Sequence, residues 1–393
     1  MQTLIELYDE RPLENVLGVE VFRPERVVYV CPDDFQNEKR VRAKLDAYFK
    51  HRGLSPMLFF ARASVYETES MLELFRGIVE QYWDCALDIT GGTDAVLFAA
   101  GLLCAEAEIP VFTYSRRQNC FYDIRGAAFV EALPCNVQYT VEDCFMMAGG
   151  SMRSGRVDNA ILFKYLDDVG PFFGLYLAHR RGWTRTVNFM QRISPSRPDG
   201  SYSLEVHGAY RVKGERGSRI EAPVDALRAM EKIGFLQNLE IVPDESVSFR
   251  FRDGQVRAWL RDVGSVLELY VYKACLDTGL FHDVRTSAVV DWEADGGNKA
   301  VSNELDVMCT RGVTPVFISC KTCDVKTEAL NELAILRDRF GGKMARAAIV
   351  TAERGGAAMR NRASELGISV IDLNDLTEGH IDKRLKNLMR DIK

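Results

Sequence analysis

"NELDVMCTRGVTPVFISCKT", residues 303–322, holds two apolar runs joined by a short connection through Arg311 and Gly312. Two short runs bounded by turn residues read as neighbouring strands of a hairpin. Side chains two apart in a strand point the same way, so Glu304 and Asp306 are expected on one face of the first strand. Two carboxylates there repel one another unless something positive sits between them. Lys321, which closes the run Val316, Phe317, Ile318, or a divalent cation would serve. The plain reading of the same residues is a buried ion pair between Lys321 and Asp306.

Working outward, a helix is expected over 256–278, followed by strands over 283–293, 303–310 and 315–322. A helix near 326–339, a turn at Gly341-Gly342, a strand over 345–352, a further helix and a strand over 368–373 complete a domain of residues 256–393. Two more acids fall on its helices: Glu268 in "SVLELYVYKA", where a carboxylate among apolar residues needs a partner, and Glu332 in "ALNELAIL". Carboxylates around a lysine suit phosphodiester hydrolysis. They would hold Mg²⁺ or Mn²⁺, which lowers the pKa of bound water, while the lysine positions or deprotonates that water.

The order helix-Glu268, then Asp306, then Lys321 at the end of the next strand resembles the PD-(D/E)xK restriction-endonuclease-like superfamily over about 256–375. One position departs from that pattern: Ser319 stands where an acid two residues before the lysine is expected. The resemblance implies that Glu332 supplies the missing acid, with Glu304 as a weaker alternative.

The N-terminal part, residues 1–145, alternates apolar strands ("RVVYVC", "PMLFFA", "DCALDIT", "IPVFTYS") with helices, which predicts a parallel sheet covered on both faces, a Rossmann-like domain. Between 146 and 255 the chain reads as mainly helical, over 157–183 and 224–242. "SVSFRFRDGQVRAWL" places Asp253-Gly254 as a hairpin turn, so a winged helix is expected. "RVKGERGSR" (Arg211, Lys213, Arg216, Arg219) reads equally as a solvated turn or as a wing that contacts phosphates.

"DITGGTDA", residues 88–95, follows a strand and opens a helix. Its backbone amides and threonine hydroxyls at the positive end of a helix suit a phosphate or ribose. It is neither a Walker loop nor GxGxxG, and its plain reading is a turn with Thr93 as N-cap. In company with the C-terminal pattern, the chain resembles CRISPR-associated ancillary nucleases that join an N-terminal CARF sensor to a PD-(D/E)xK domain. That resemblance implies an α/β protein, a homodimer that binds cyclic tetra-adenylate across two CARF domains. Thr90, Gly91, Gly92 and Thr93 would line the ligand, with Pro32 and Asp33 contributing from the loop after the first strand. Asp94 stands where the family often has lysine, and it is expected to face away.

Composition sets the remaining bounds. Of 393 residues, 47% are hydrophobic and 27% charged, which is an ordinary globular mixture. A net charge of −6 advertises no nucleic-acid binding through the overall field. No apolar run reaches membrane-spanning length and no leader pattern opens the chain, so a cytoplasmic protein without membrane association is expected. Ten cysteines lie scattered, and the one CxxC, Cys320 and Cys323, lacks the second pair of a zinc site. The expected function is a ligand-gated, metal-dependent endonuclease that cuts DNA or RNA with little sequence preference. Arg311 or the 211–219 loop would touch the substrate backbone. Two rivals stand beside it: a DNA-binding sensor with a decayed nuclease domain, and a ring nuclease that degrades its own cyclic ligand.

Overall fold

The computed structural model describes residues 1–64, 66–154, 159–214, 217–292 and 302–390. Arg216, and residue 293 at the end of the expected strand 283–293, lie outside them.

"TLIEL" at the start of the chain is a strand buried at every residue, β1 (Thr3–Leu7), and it is the middle one of the five parallel strands of the first sheet. It is followed by α1 (Leu17–Phe22), β2 (Arg26–Pro32), α2 (Glu38–His51), β3 (Met57–Ala63), α3 (Thr68–Gln81), β4 (Cys85–Asp88), α4 (Asp94–Glu106) and β5 (Val111–Ser115). β6 (Cys120–Arg125) and β7 (Leu133–Pro134) turn back antiparallel, and α5 (Val141–Met147) leaves the domain. The sheet runs β3-β2-β1-β4-β5-β6-β7, and its first five strands are parallel. Parallel strands covered on both faces are apolar almost throughout, which made four of the five parallel strands legible. β1 escaped because its alternation is broken by Glu6. The loop after the first strand is therefore residues 8–11, whereas Pro32 closes the second strand and Asp33 follows it.

A boundary after residue 145 cuts through α5. The next strand, β8 (Ser151–Ser154), pairs antiparallel with the C-terminal sheet. The middle segment then holds α6 (Asn159–Leu162), α7 (Leu166–His179), α8 (Trp183–Ile193), β9 (Glu205–Ala209), β10 (Arg211–Lys213), β11 (Arg219–Glu221), α9 (Val224–Lys232), β12 (Leu236–Val242), β13 (Ser246–Phe251) and α10 (Gly254–Trp259). Helices followed by the antiparallel sheet β12-β13-β9 have the layout of a winged helix. Two expectations shift. The run 224–242 is half helix and half strand, so the hairpin lies one strand earlier, turning at Asp244 (φ 64°). Asp253-Gly254 is no hairpin turn, because the Asp253 carboxylate accepts the Val256 N–H at 2.9 Å and caps α10.

The expected helix 256–278 is broken. α10 ends at Trp259, and α11 (Ser265–Asp277) starts afresh after Gly264. β14 (Asp283–Asp291), β15 (Ser302–Arg311) and β16 (Thr314–Lys321) form an antiparallel meander. α12 (Thr327–Gly341), β17 (Arg346–Thr351), α13 (Ala357–Glu365), β18 (Ile368–Ile371), α14 (Leu373–Thr377) and α15 (Ile381–Leu388) follow. The sheet order is β18-β17-β16-β15-β14-β8, with β16, β17 and β18 parallel. Val316 and Ile318 face a core shared with α7, α11 and α15, whereas Phe317 faces one shared with α5, α12 and the N-terminal domain. The C-terminal sheet is thus sandwiched, and one of its cores is continuous with the N-terminal domain. No helix among the described residues is long and apolar enough to cross a membrane.

Candidate active site and ligand cleft

β15 and β16 pair only from Arg311↔Thr314 to Val307↔Ile318, and beyond that rung they part. β16 keeps its ladder with β17 as far as Lys321↔Thr351. A backbone N–H left at such a fork needs an acceptor. The Asp306 carboxylate provides it: Oδ2 accepts the Cys320 amide at 2.6 Å and the Ser319 hydroxyl at 3.1 Å, with Lys321 Nζ at 3.6 Å. Ser319, standing where an acid was expected, therefore orients Asp306. Oδ1 makes no hydrogen bond among the described residues and remains open.

Across the rung from Asp306, Ser287 has φ 51°, and the Thr286 hydroxyl donates to the Asp306 carbonyl at 2.8 Å. The apolar neighbours change sides here: Leu305 packs toward α12 and Val307 toward α11. Strict alternation therefore fails at Asp306, and the two acids engage different partners. Glu304 accepts the Ser287 hydroxyl at 2.6 Å. Both border a small recess of about 50 Å³ together with Ser319, Lys321 and Glu332. Glu332 sits at its rim on α12, where the Asn303 amide donates to it at 2.6 Å.

Glu268 enters from the first turn of α11. Burial, and after it the carboxylates of Asp306, Asp262 and Glu304, push its carboxyl up to about 8, while Lys321 pulls the other way. Burial likewise raises Asp306 against the lowering effect of Lys321. One lysine does not neutralise this set. Hard oxygen donors crowded with like charge are the surroundings that a divalent cation relieves, so the donor chemistry of Glu268 and the open Oδ1 of Asp306 fits Mg²⁺ or Mn²⁺. Among the described residues no three candidate ligands converge. Arg311 lies five residues from Asp306, about 17 Å along β15, and its turn packs on Tyr139, whose N–H donates to the Gly312 carbonyl. It has no place at this site. β10 and β11 pair antiparallel on either side of the basic stretch, and Arg211 is already paired with Glu221 and Asp244.

The second site lies where β1, β2 and β4 end. A cleft of about 900 Å³ is lined there by Tyr8, Arg11, Pro32, Phe35, Gly92 and Thr93 among others. Gly92 has φ 89°, and Thr93 stands at the N-cap of α4 with its hydroxyl unused for capping. Thr90 and Gly91 serve the loop instead. The Thr90 hydroxyl accepts the Tyr114 N–H at 2.9 Å, and a Cβ on Gly91 would come within 2.6 Å of the Leu7 carbonyl oxygen. Asp33 is exposed away from the cleft, whereas Asp94 borders it, against the expectation that it faces away. Three aromatic side chains line it as well, Tyr8, Phe35 and the 90% exposed Tyr66, and such rings offer stacking faces for nucleobases. Tyr8 and Arg11 were missed with β1. An apolar run at the very start of a chain was the signal for them.

Residues 256–392 match the family model described as "Card1-like, endonuclease domain". Among solved structures, the chain is similar to protein VC1899 from Vibrio cholerae, with a TM-score of 0.75, 17% identity and 98% of each chain covered. It is also similar to Can2 from Sulfobacillus thermosulfidooxidans, solved in complex with cyclic tetra-adenylate, with a TM-score of 0.69, 15% identity and 99% of each chain covered. At these identities the likeness shows a shared fold over the whole chain. No curated protein matches it.

Proposed function

We propose that this protein is a metal-dependent endonuclease of CRISPR defence, switched on by cyclic tetra-adenylate and cutting DNA or RNA with little sequence preference. The observation that carries the reading is the fork of β15 and β16, which gathers Asp306, Ser319 and Lys321 beside Glu268 in a domain matching an endonuclease family. Asp306 and Glu268 would hold the cation, with Glu304 and Glu332 at the rim of the recess. The cation supplies a Lewis acid and a lowered pKa for bound water. Lys321, its side chain 35% exposed, would orient the attacking water and offset charge developing on the phosphate.

Activation is assigned to the N-terminal cleft. Its aromatic faces, Arg11 and the open loop at Gly92 and Thr93 suit a nucleotide ligand. α4, which begins at that loop, leaves Phe98 61% exposed and Leu102 37% exposed one turn apart. An apolar helix face of this kind is the seam we assign to a homodimer, which would place two clefts side by side.

The test incubates the full chain with supercoiled plasmid or single-stranded RNA in Mn²⁺, with and without cyclic tetra-adenylate, beside Lys321→Ala and an EDTA control. Cleavage that requires ligand, metal and Lys321 together is expected. A protein that shifts DNA and never cuts it would favour the sensor with a decayed nuclease domain.

A further inference from the structure

We infer that a second cleft, separate from the recess around Asp306, binds the phosphodiester backbone of the nucleic-acid substrate and leads it to Lys321. The inference rests on the nuclease reading of that recess for its destination, though not for its chemistry.

The cleft has a volume of about 520 Å³ and runs between the α7–α8 turn and the first turn of α9. His179, Arg180, Arg181 and Arg185 line one side, and Glu221 and Asp225 the other. The arginines divide into two kinds. Arg180 is anchored: Nη1 donates to the Ala352 carbonyl at 2.9 Å and pairs with Glu353 at 2.8 Å. Ala352 in turn donates its N–H to the carbonyl of Lys321 at 3.0 Å. One end of the basic wall is thus fastened, through a single residue, to the strand that carries the candidate catalytic lysine.

Arg181 and Arg185 are exposed and have no ion pair or hydrogen bond among the described residues. Arg211, by contrast, is engaged with Glu221 and Asp244. Glu221 is taken by Arg211, and Asp225 on the same wall has no cation partner among the described residues. Two unneutralised guanidinium groups, four residues apart beside a concave wall, in a chain of net charge −6, point to an anionic partner brought from outside. Guanidinium forks bind phosphate oxygens bidentately, and the anchored Arg180 fixes where that wall stands relative to Lys321. The sequence hid this cleft because "HRRGW" falls at the end of an apolar helix and reads as an ordinary C-terminal cap of basic residues.

The test measures binding of fluorescent single-stranded DNA, single-stranded RNA and duplex DNA to the full chain in EDTA, so that nothing is cut, over a range of salt. Arg181→Glu with Arg185→Glu is compared with Arg181→Lys with Arg185→Lys. Arg23→Glu with Arg125→Glu, on the N-terminal domain, makes the same change in net charge. We expect the first pair to weaken binding about tenfold or more and to lower the slope of log K against log salt by about 1.4–1.8. The lysine pair keeps most of the affinity, and the distant pair keeps nearly all of it. If wild type cuts nucleic acid through Lys321 and the Arg181/Arg185 reversal binds and cuts equally well, the cleft is overturned while the nuclease reading stands. If the reversal abolishes binding and no condition yields cleavage, the cleft survives and the nuclease reading falls. Absence of binding by wild type, or poly-glutamate binding as tightly as nucleic acid at equal salt, overturns the cleft.

Discussion

The Asp306 carboxylate accepts the backbone N–H of Cys320 at 2.6 Å, so a side chain replaces the carbonyl with which the next rung of the β15–β16 ladder would have been made. The two oxygens of Asp306 consequently differ: Oδ2 ends the ladder, and Oδ1, unbonded among the described residues, is the one the proposed chemistry would use. Asp306→Asn keeps an acceptor for Cys320 and loses the second anionic oxygen. We expect near-normal melting and at least a hundredfold loss of cleavage. Asp306→Ala strands a buried N–H as well, which costs about 1–3 kcal/mol. Thermal melting beside plasmid cleavage separates the two.

Ser319 donates to the same Oδ2 at 3.1 Å without any direct place in the chemistry. Ser319→Ala should therefore slow cleavage about three- to tenfold, with a stability change of about 1 kcal/mol or less. Equal loss in Ser319→Ala and Lys321→Ala would instead make Ser319 a reacting group.

The loop at the N-terminal cleft offers a contrast between two threonines. Thr90→Ala removes the acceptor of the Tyr114 N–H, so it should lower the melting temperature. Thr93→Ala touches no internal hydrogen bond and should leave melting unchanged while raising the concentration of cyclic tetra-adenylate needed for activation about tenfold. Isothermal titration and melting curves on both variants decide it.

Glu6 and Asp88 are opposite partners on β1 and β4, both fully buried, and a Cβ on Gly18 would lie within 2.7 Å of an oxygen of each. Burial, and then Asp88, raise Glu6 well above the ordinary carboxylate range, and burial raises Asp88 to about 7 against the hydrogen bonds from Thr90. Tyr29 on β2 is the other titratable group facing them, and its hydroxyl donates to the Asn15 carbonyl. Between pH 4 and 7 the native state keeps protons that the unfolded chain releases, so stability falls as pH rises. Glu6→Gln should flatten that fall and melt about 2 °C or more above wild type at pH 7.5, with little difference at pH 4.5. A melting curve against pH that is unchanged by the substitution would refute the arrangement.

Phe98→Glu puts a charge on the exposed apolar face of α4. Sedimentation should show monomers, with ligand activation lost in parallel. A variant that stays dimeric moves the seam elsewhere.

Apolar runs with turn residues between them carried the meander and every parallel strand of both sheets except β1, and they singled out Glu268, Asp306 and Lys321 as candidates. What escaped has specific causes. Glu6 interrupts β1, so the central strand and the cleft residues Tyr8 and Arg11 went unread. Asp253 caps a helix with the residues that would also have made a hairpin turn, and only the Val256 N–H tells the two apart. Strict alternation assigned Glu304 and Asp306 a common role. Ser287, in a left-handed conformation no local pattern announces, marks the point where the strands change sides. The role of Ser319 needed a contact between strands, which no single stretch of sequence contains.

β8 crosses from the end of the N-terminal domain to become the outer strand beside β14. The segment matching the endonuclease family begins at residue 256, yet the sheet it contributes is not finished without residues 151–154. The inherited module and the folding module are therefore different lengths of chain. A gene fragment trimmed to the family boundary would expose the β14 edge and the apolar surface beneath α5, and such edges recruit other chains. A shorter chain that keeps this sheet whole and its inner face covered has to reach back through β8 to α5.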